Sequence, residues 1–284
     1  MGQRNEEAKK SDVADEKSSV KKPETKADSK ANAKKSRDNS GGKGDAKPVQ
    51  DMPIPVSPSW VRVARDYPIW VDLKKKEVIV KGRIAIQKGA LEMFACPKGT
   101  KEHESVVAIE SPAKFVHLAL LAVGARPGKP VAFDPEYRPA TGTTILIDVI
   151  WKDDQGKVHR HRAQEWVKNA RTGKPLQYDW VFGGSSFFTD PATGERYYAA
   201  EAGELVCVSN FSTATLDLPI ESTAANQGLL FVANSEKVPP RGTPVLMILR
   251  PKPEDAKNKA PSPRDRSGAS KKKDSSDAKK GGRP

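Results

Sequence analysis

The sequence contains 284 residues, with 49 lysines and arginines against 36 aspartates and glutamates, which gives a formal net charge of +13. Only two cysteines occur, so the chain cannot supply four thiolates for an all-cysteine iron–sulfur cluster or zinc site. No stretch approaches the run of about 18 apolar residues that crosses a bilayer. A chain of this length is expected to form one or two globular domains.

Most of the positive charge belongs to the two ends of the chain. Residues 1–51 hold 13 basic and 10 acidic side chains and residues 252–284 hold 11 and 5, whereas residues 52–251 hold 25 and 21. The ends contain too few apolar residues to offset the entropy lost on ordering. We therefore predict a disordered charged tail over 1–51, one folded domain over 52–251 and a disordered basic tail over 252–284. Both tails are interpreted as solvated, with weak binding of an anionic partner as the alternative.

The first residues read MGQRNEEAKKSDVADEKSS and contain no apolar segment typical of a signal peptide. Glu6 stands where N-myristoylation requires serine or threonine. As written, the chain is expected to be soluble, without a membrane span, and cytoplasmic. It would be exported if the true start lies upstream.

The first predicted element is a β-hairpin, in which alternating and β-branched residues of 69–73 and 77–80 flank a charged turn. Two strands follow, at 91–96 and 105–109. A helix is then predicted to begin with Ser111 as the capping residue and Pro112 in the first helical position. Its apolar residues extend to Val123, and Gly124 suits the position just after a helix.

The second half of the middle region is predicted to be mostly strand. A short helix is expected over 164–169, and Pro191–Gly194 forms a turn. One or two short helices among ten or so short strands favour the α+β class, as a β-rich, mostly antiparallel single domain flanked by disordered tails. The predicted strands lie at 143–151, 157–163, 180–182, 186–188, 196–200, 204–208, 229–232 and 244–249.

The densest group of reactive side chains lies in residues 96–105. Cys96 ends one predicted strand and His103 begins the next, so a hairpin would bring a thiol beside an imidazole, as a nucleophile pair or half of a metal site. In an extended segment, His103 and Ser105 would share one face and Glu104 would take the other. A structural, loop-closing role is favoured over a ligand or metal role, and over catalysis.

His159 and His161 follow a predicted turn at 153–156, and their spacing places both imidazoles on one face of a strand. This spacing suits a metal ion, but no carboxylate of matching spacing follows, so a solvated hairpin face is favoured. Cys207 is interpreted as a buried structural thiol, and Asp217 and Ser222 as caps of backbone groups.

Several motifs together resemble the YdjY-domain family over about residues 60–251: GALEMFAC, KEHESVV, HLALLAVGARPG, RPATGTTILIDVIW, WVFGGS, GELVCVSNF and LDLP. This is a bacterial family of largely unknown function, whose relatives are often exported. The resemblance implies that His103, Glu104, Ser105 and Asn210 lie at a shared site. Some relatives carry a ferredoxin-like cysteine cluster. This chain lacks those cysteines, so no cofactor is expected.

The favoured function is a non-enzymatic binding or interaction module of a bacterial cell, with association with the cell envelope as one option. Its ligand or protein partner would meet a polar cleft at His103, Glu104, Ser105 and Asn210. No catalytic residue and no metal site is assigned. Two alternatives stay open. One is a metal-dependent or Cys/His hydrolase that uses Cys96, His103 and Glu104, and the other is nucleic-acid binding through the basic C-terminal tail.

Overall fold

A computed structural model describes residues 51–222 and 230–253. The tails predicted over 1–51 and 252–284 lie outside these ranges, apart from positions 51, 252 and 253. The α-helix in the described part is α1 (Ala113–Ala122), and short 3-10 helices cover Glu102–Glu104, Ala163–Trp166 and Ala199–Ala202. The strands are β1 (Val61–Arg62), β2 (Ile69–Asp72), β3 (Glu77–Ile84), β4 (Met93–Pro97), β5 (Ser105–Ile109), β6 (Thr144–Lys152), β7 (Val158–Arg162), β8 (Val167–Asn169), β9 (Trp180–Phe182), β10 (Phe187–Thr189), β11 (Arg196–Tyr198), β12 (Val206–Cys207), β13 (Leu216–Asp217), β14 (Phe231–Ala233) and β15 (Pro244–Pro251).

Eight strands of the main sheet close into a ring, in the order β3, β15, β6, β9, β13, β12, β4 and β5, with β5 pairing back to β3. Two neighbouring pairs are parallel, β12 with β13 and β4 with β5, and the other pairs of the ring are antiparallel. Strands β1 and β2 continue the sheet from β3, and β7 pairs with β6. The ring encloses one large apolar core.

The predicted α+β class is therefore wrong, although the prediction of a β-rich domain is confirmed. The sheet covers its own apolar face by closing into a barrel, so no helical layer is needed to bury it. The sheet was expected to be mostly antiparallel. It is mixed, because two neighbouring pairs of strands in the ring are parallel. Apolar runs such as β2 and β4, which are buried at every position, indicate strands covered on both faces but do not show which strands will be neighbours.

A series of aromatic rings crosses the core of the barrel. The ring centroids of Trp151 and Trp166 are 5.2 Å apart, those of Trp166 and Phe94 are 6.5 Å apart, and those of Phe94 and Trp180 are 5.6 Å apart. The indole N–H of Trp180 donates to the carbonyl of Cys207 at 2.7 Å. This bond ties the aromatic series to the wall of the barrel at β12, which satisfies a polar group that burial would otherwise penalise.

The predicted helix is present as α1, but its first turn is satisfied differently from the expectation. Ser111 makes no cap, and Pro112 is the N-cap residue. The backbone N–H groups of Ala113 and Lys114 instead donate to the two carboxylate oxygens of Glu201, each at 2.9 Å. An acidic side chain also complements the positive end of the helix dipole. The described residues contain no helix that is both long and apolar enough to pass through a lipid bilayer.

Candidate functional site

The candidate site is built on an unusually short crossover between the parallel strands β4 and β5. Residues 98–104 span this connection, whereas parallel neighbours ordinarily need a dozen residues or more. Local hydrogen bonds hold the short path: the Thr100 hydroxyl donates to the Pro97 carbonyl at 2.6 Å, and the Ser105 hydroxyl donates to the Lys101 carbonyl at 2.7 Å. These bonds position Lys101 in the middle of the crossover.

The ammonium of Lys101 is surrounded by three glutamates, and we call these four residues the lysine cluster. Its Nζ lies 3.1 Å from Glu204, 3.5 Å from Glu92 and 3.6 Å from Glu104. The glutamates precede three different strands, β12, β4 and β5, so the cluster joins distant parts of the chain.

A glycine leaves the space for the Lys101 side chain. Gly203 has φ of +139°, and a Cβ built on it would lie 2.6 Å from Cγ of Lys101. Any other residue would therefore be strained and would displace the lysine.

The lysine cluster has more negative than positive groups. Burial, followed by the nearby charge of Glu104, raises the pKa of Glu92. Burial alone would lower the pKa of Lys101, but the glutamates, led by Glu204, outweigh it and raise that pKa. The second oxygen of Glu204, Oε2, is buried and has no hydrogen-bond partner among the described residues. The cluster therefore has an acceptor oxygen and an excess of negative charge that a positively charged group could use.

A second polar group, the aspartate cluster, consists of Asp217, Asn210, Tyr137 and Ser222. The Asn210 amide donates to Asp217 Oδ1 at 3.0 Å, and its own Oδ1 accepts the backbone N–H of Ser222 at 2.6 Å. The Tyr137 hydroxyl donates to the same Asn210 oxygen at 3.4 Å. Two backbone N–H groups, of Phe211 and Leu218, complete the donors to Asp217.

Burial dominates the electrostatics of the aspartate cluster. Asp217 has no exposed surface, and burial raises its pKa to about 7 even though three hydrogen bonds favour the charged form. Burial and the nearby charge of Asp217 raise the pKa of Tyr137 to about 12. All the groups that donate to Asp217 are neutral. They compensate for the lost hydration of its carboxylate less than an ammonium group would.

Phe211 links the two clusters. Its ring lies 4.6 Å from Nζ of Lys101, a cation–π distance, and its backbone N–H donates to Asp217 Oδ2 at 3.2 Å. The same ring packs on a small outer core of Met93, Cys207 and Ala214. The residues expected to share a site, 103–105 and Asn210, are therefore connected through Lys101 and through Phe211, the neighbour of Asn210 in the chain.

The four residues expected at the shared site have different environments. The His103 side chain is 77% exposed and that of Glu104 is 21% exposed, with His103 Nε2 3.9 Å from Glu104. Ser105 and Asn210 are buried, and their polar groups are used within the chain. Of the four side chains, only those of His103 and Glu104 are accessible to solvent.

The geometry gives no support to a thiol–imidazole pair. Because β4 and β5 are parallel, the expected hairpin is wrong: Cys96 lies opposite Ala108, while Ser105 lies opposite Met93. Cys96 is fully buried, and burial raises the pKa of its thiol. A nucleophilic cysteine needs the opposite, an accessible thiol of low pKa. Cys207 is also buried and free, as expected for a structural thiol.

The caps predicted at Asp217 and Ser222 are present, since Asp217 accepts two backbone N–H groups and the Ser222 hydroxyl donates to the Val208 carbonyl at 2.7 Å. Lys101, Glu92, Glu204 and Tyr137 were not singled out from the sequence. The signal in the sequence that points to Lys101 is its place in the reactive 96–105 segment, between Cys96 and His103.

Binding of nucleic acid by residues 252–284 concerns a segment that lies almost wholly outside the described residues, and it stays a prediction. It would be tested by deleting the segment and measuring whether a steeply salt-dependent association is lost.

Comparison with known proteins gives one result. Neither the curated proteins nor the solved structures contain a match to this chain. The family model of the YdjY domain matches residues 69–250, which runs from the first residue of β2 to the penultimate residue of β15. This range covers the closed barrel and both clusters, so the chain belongs to the YdjY family.

Proposed function

We propose that the barrel is a non-enzymatic binding module whose ligand carries a positive charge, in the form of an amine or guanidinium group. The lysine cluster is the binding site, and the exposed His103 lies at its edge. The observation that carries this proposal is the buried Oε2 of Glu204, which has no partner among the described residues although it belongs to a cluster of three carboxylates.

The charge balance supports a cationic ligand. Three carboxylates share the ammonium of Lys101, and the raised pKa of Glu92 reflects burial and repulsion from Glu104. A second cation would relieve that repulsion and would give Glu204 the hydrogen bond it lacks. An anionic ligand would be repelled by the three carboxylates.

The exposure of the cluster supports access from one side. Glu104 and Lys101 keep 21% and 26% of their side-chain surface exposed, whereas Glu204 keeps only 9%. A ligand would therefore approach past Glu104 and Lys101 towards Glu204. The phenyl ring of Phe211 beside Lys101 offers a second surface on which a cation can rest.

The proposal is tested by thermal denaturation of the full chain in the presence of spermidine or arginine amide, with sodium acetate as the anionic comparison. The cations are expected to raise the melting temperature in a saturable way, because a ligand that binds only the folded state stabilises it. Glu104→Gln should weaken this response. Glu236→Gln, at an exposed position in a turn, serves as the matched control and should respond as the wild type does. Equal responses of the two variants, or no response of the wild type, would contradict the proposal.

A further inference from the structure

A separate pair of imidazoles lies on the far edge of the sheet, on β7. We call His159 and His161 the histidine pair. Strand β7 pairs with β6 so that His159 lies opposite Trp151 and His161 opposite Val149. The two side chains are 26% and 27% exposed, and each ring centroid lies 5.0 Å from that of Trp151. Both imidazoles therefore share one face of the strand and are held against one indole.

Each imidazole is oriented by its own carboxylate. His159 Nε2 lies 2.7 Å from Asp153 Oδ2, and His161 Nδ1 lies 2.9 Å from Glu165 Oε2. The sequence offers no carboxylate of matching spacing as a third metal ligand, and these two carboxylates contact the imidazoles instead. Asp153 precedes the strand in its turn, and Glu165 follows it in the 3-10 helix Ala163–Trp166.

These carboxylates are themselves fixed by backbone groups. Asp153 Oδ1 accepts the N–H groups of Gln155 at 3.0 Å and Lys157 at 2.9 Å, and Glu165 Oε1 accepts that of Arg162 at 3.1 Å. A carboxylate accepts a proton from the ring nitrogen that faces it. The opposite nitrogens, Nδ1 of His159 and Nε2 of His161, then carry lone pairs, and neither has a hydrogen-bond partner within 51–222 or 230–253.

We propose that the histidine pair binds a late first-row divalent transition metal ion through these two nitrogens. A carboxylate on the far side of a metal-ligating imidazole is the usual arrangement, because it fixes the tautomer and raises the basicity of the ligand. Residues two apart on a strand are separated by about 7 Å, which two imidazoles can span with metal–nitrogen bonds of about 2.0–2.1 Å.

The site supplies two protein ligands, and water completes the coordination. The described residues contain no group of three or more His, Cys, Asp or Glu side chains that could hold a metal ion. Asp153 and Glu165 act behind the imidazoles and are not counted as ligands. Imidazole suits Cu²⁺, Ni²⁺ and Zn²⁺, and the order of affinities for divalent ions places Cu²⁺ above Zn²⁺.

The test uses Cu²⁺ alone, added to the full chain while tryptophan fluorescence is recorded. Because Trp151 contacts both imidazoles, Cu²⁺ bound there is expected to quench part of the emission in a saturable way. Zn²⁺ does not quench, so it should reverse the loss by competition, at a higher concentration than Cu²⁺. Wild-type protein without saturable quenching would overturn the proposal.

Variants locate the site. His161→Ala and His159→Phe, the second of which keeps an aromatic ring against Trp151, should abolish saturable quenching. Asp153→Asn and Glu165→Gln keep their bonds to the backbone and should weaken binding by about tenfold or more. His103→Ala removes an exposed imidazole elsewhere and should leave the titration unchanged. If folded histidine-pair variants, judged by circular dichroism, titrate like the wild type, the ion is held elsewhere and the proposal is wrong.

Discussion

The lysine cluster and the aspartate cluster both contact Phe211, but the buried carboxylates in them have different partners. Glu204 is paired with an ammonium at 3.1 Å, whereas Asp217 has only neutral donors, two from the backbone and one from Asn210. Burial raises the pKa of Asp217 to about 7, which three hydrogen bonds do not prevent. The comparison shows that neutral donors satisfy the geometry of a buried carboxylate without fully stabilising its charge.

The largest effect is expected from removing the acceptor at the centre of the aspartate cluster. Asp217→Ala would leave the Asn210 amide and the N–H groups of Phe211 and Leu218 without their shared partner in a buried site. Each unsatisfied donor costs about 1–3 kcal/mol, so we expect a loss of about 3–5 kcal/mol in the free energy of unfolding. Urea denaturation measures it. A loss below about 1 kcal/mol would show that water replaces the carboxylate and that the site is not dry.

The pH dependence of stability isolates the charge of Asp217. Its pKa in the folded state is about 7, above the value of 3.8 expected for an unfolded chain, so the folded state binds this proton more tightly. The resulting stability is fully present below about pH 4 and is lost as the pH rises through about 7, amounting to about 4 kcal/mol.

The measurement for Asp217 is a difference between two proteins. Asp217→Asn cannot ionise, so its free energy of unfolding relative to wild type should increase between pH 5 and pH 8. Other titrating groups change both proteins alike and cancel from the difference. A difference that does not vary with pH would show that Asp217 is ionised throughout the range.

A smaller effect is expected at the lysine cluster, where the groups are partly exposed. Lys101→Met removes the shared cation and leaves Glu92, Glu104 and Glu204 to repel one another. With a quarter of the lysine side chain exposed, we expect a loss of about 1–2 kcal/mol in the free energy of unfolding, and less at high salt. Glu104→Gln, which removes one carboxylate and keeps the lysine, should cost under about 0.5 kcal/mol. If the two variants were equally destabilised, the ion pairs of Lys101 would not be what holds the three glutamates together.

The local elements could be predicted from the sequence, but their assembly could not. The β2–β3 hairpin, the turn before β7 and the glycine after α1 follow from short patterns, and all three are present, with Gly124 at φ +90°. Closure of the barrel depends on β5 returning to β3, a contact between strands that are not consecutive. Periodicity carries no information on such pairings.

The candidate site was only partly predictable for the same reason. The segments 103–105 and 209–211 could be singled out from their motifs, but Lys101 looks like a solvated lysine in a charged loop. Its partners Glu92 and Glu204 arrive from positions about ten residues before and a hundred residues after it, and only the folded chain brings them within 3.5 Å. The seven-residue crossover that places it there also departs from the usual length of a parallel connection.

The aromatic series in the barrel brings three tryptophans close enough to exchange excitation energy. The ring centroids of Trp151 and Trp166 are 5.2 Å apart, and Phe94 lies 6.5 Å from Trp166 and 5.6 Å from Trp180. The energy absorbed by one indole can therefore pass to its neighbours before it is emitted as fluorescence. Trp151 stands at the end of the series, beside the histidines of β7. Quenching at that outer edge would therefore lower the emission of the interior indoles as well, and the remaining emission would come mainly from Trp60 and Trp70, which lie outside the series.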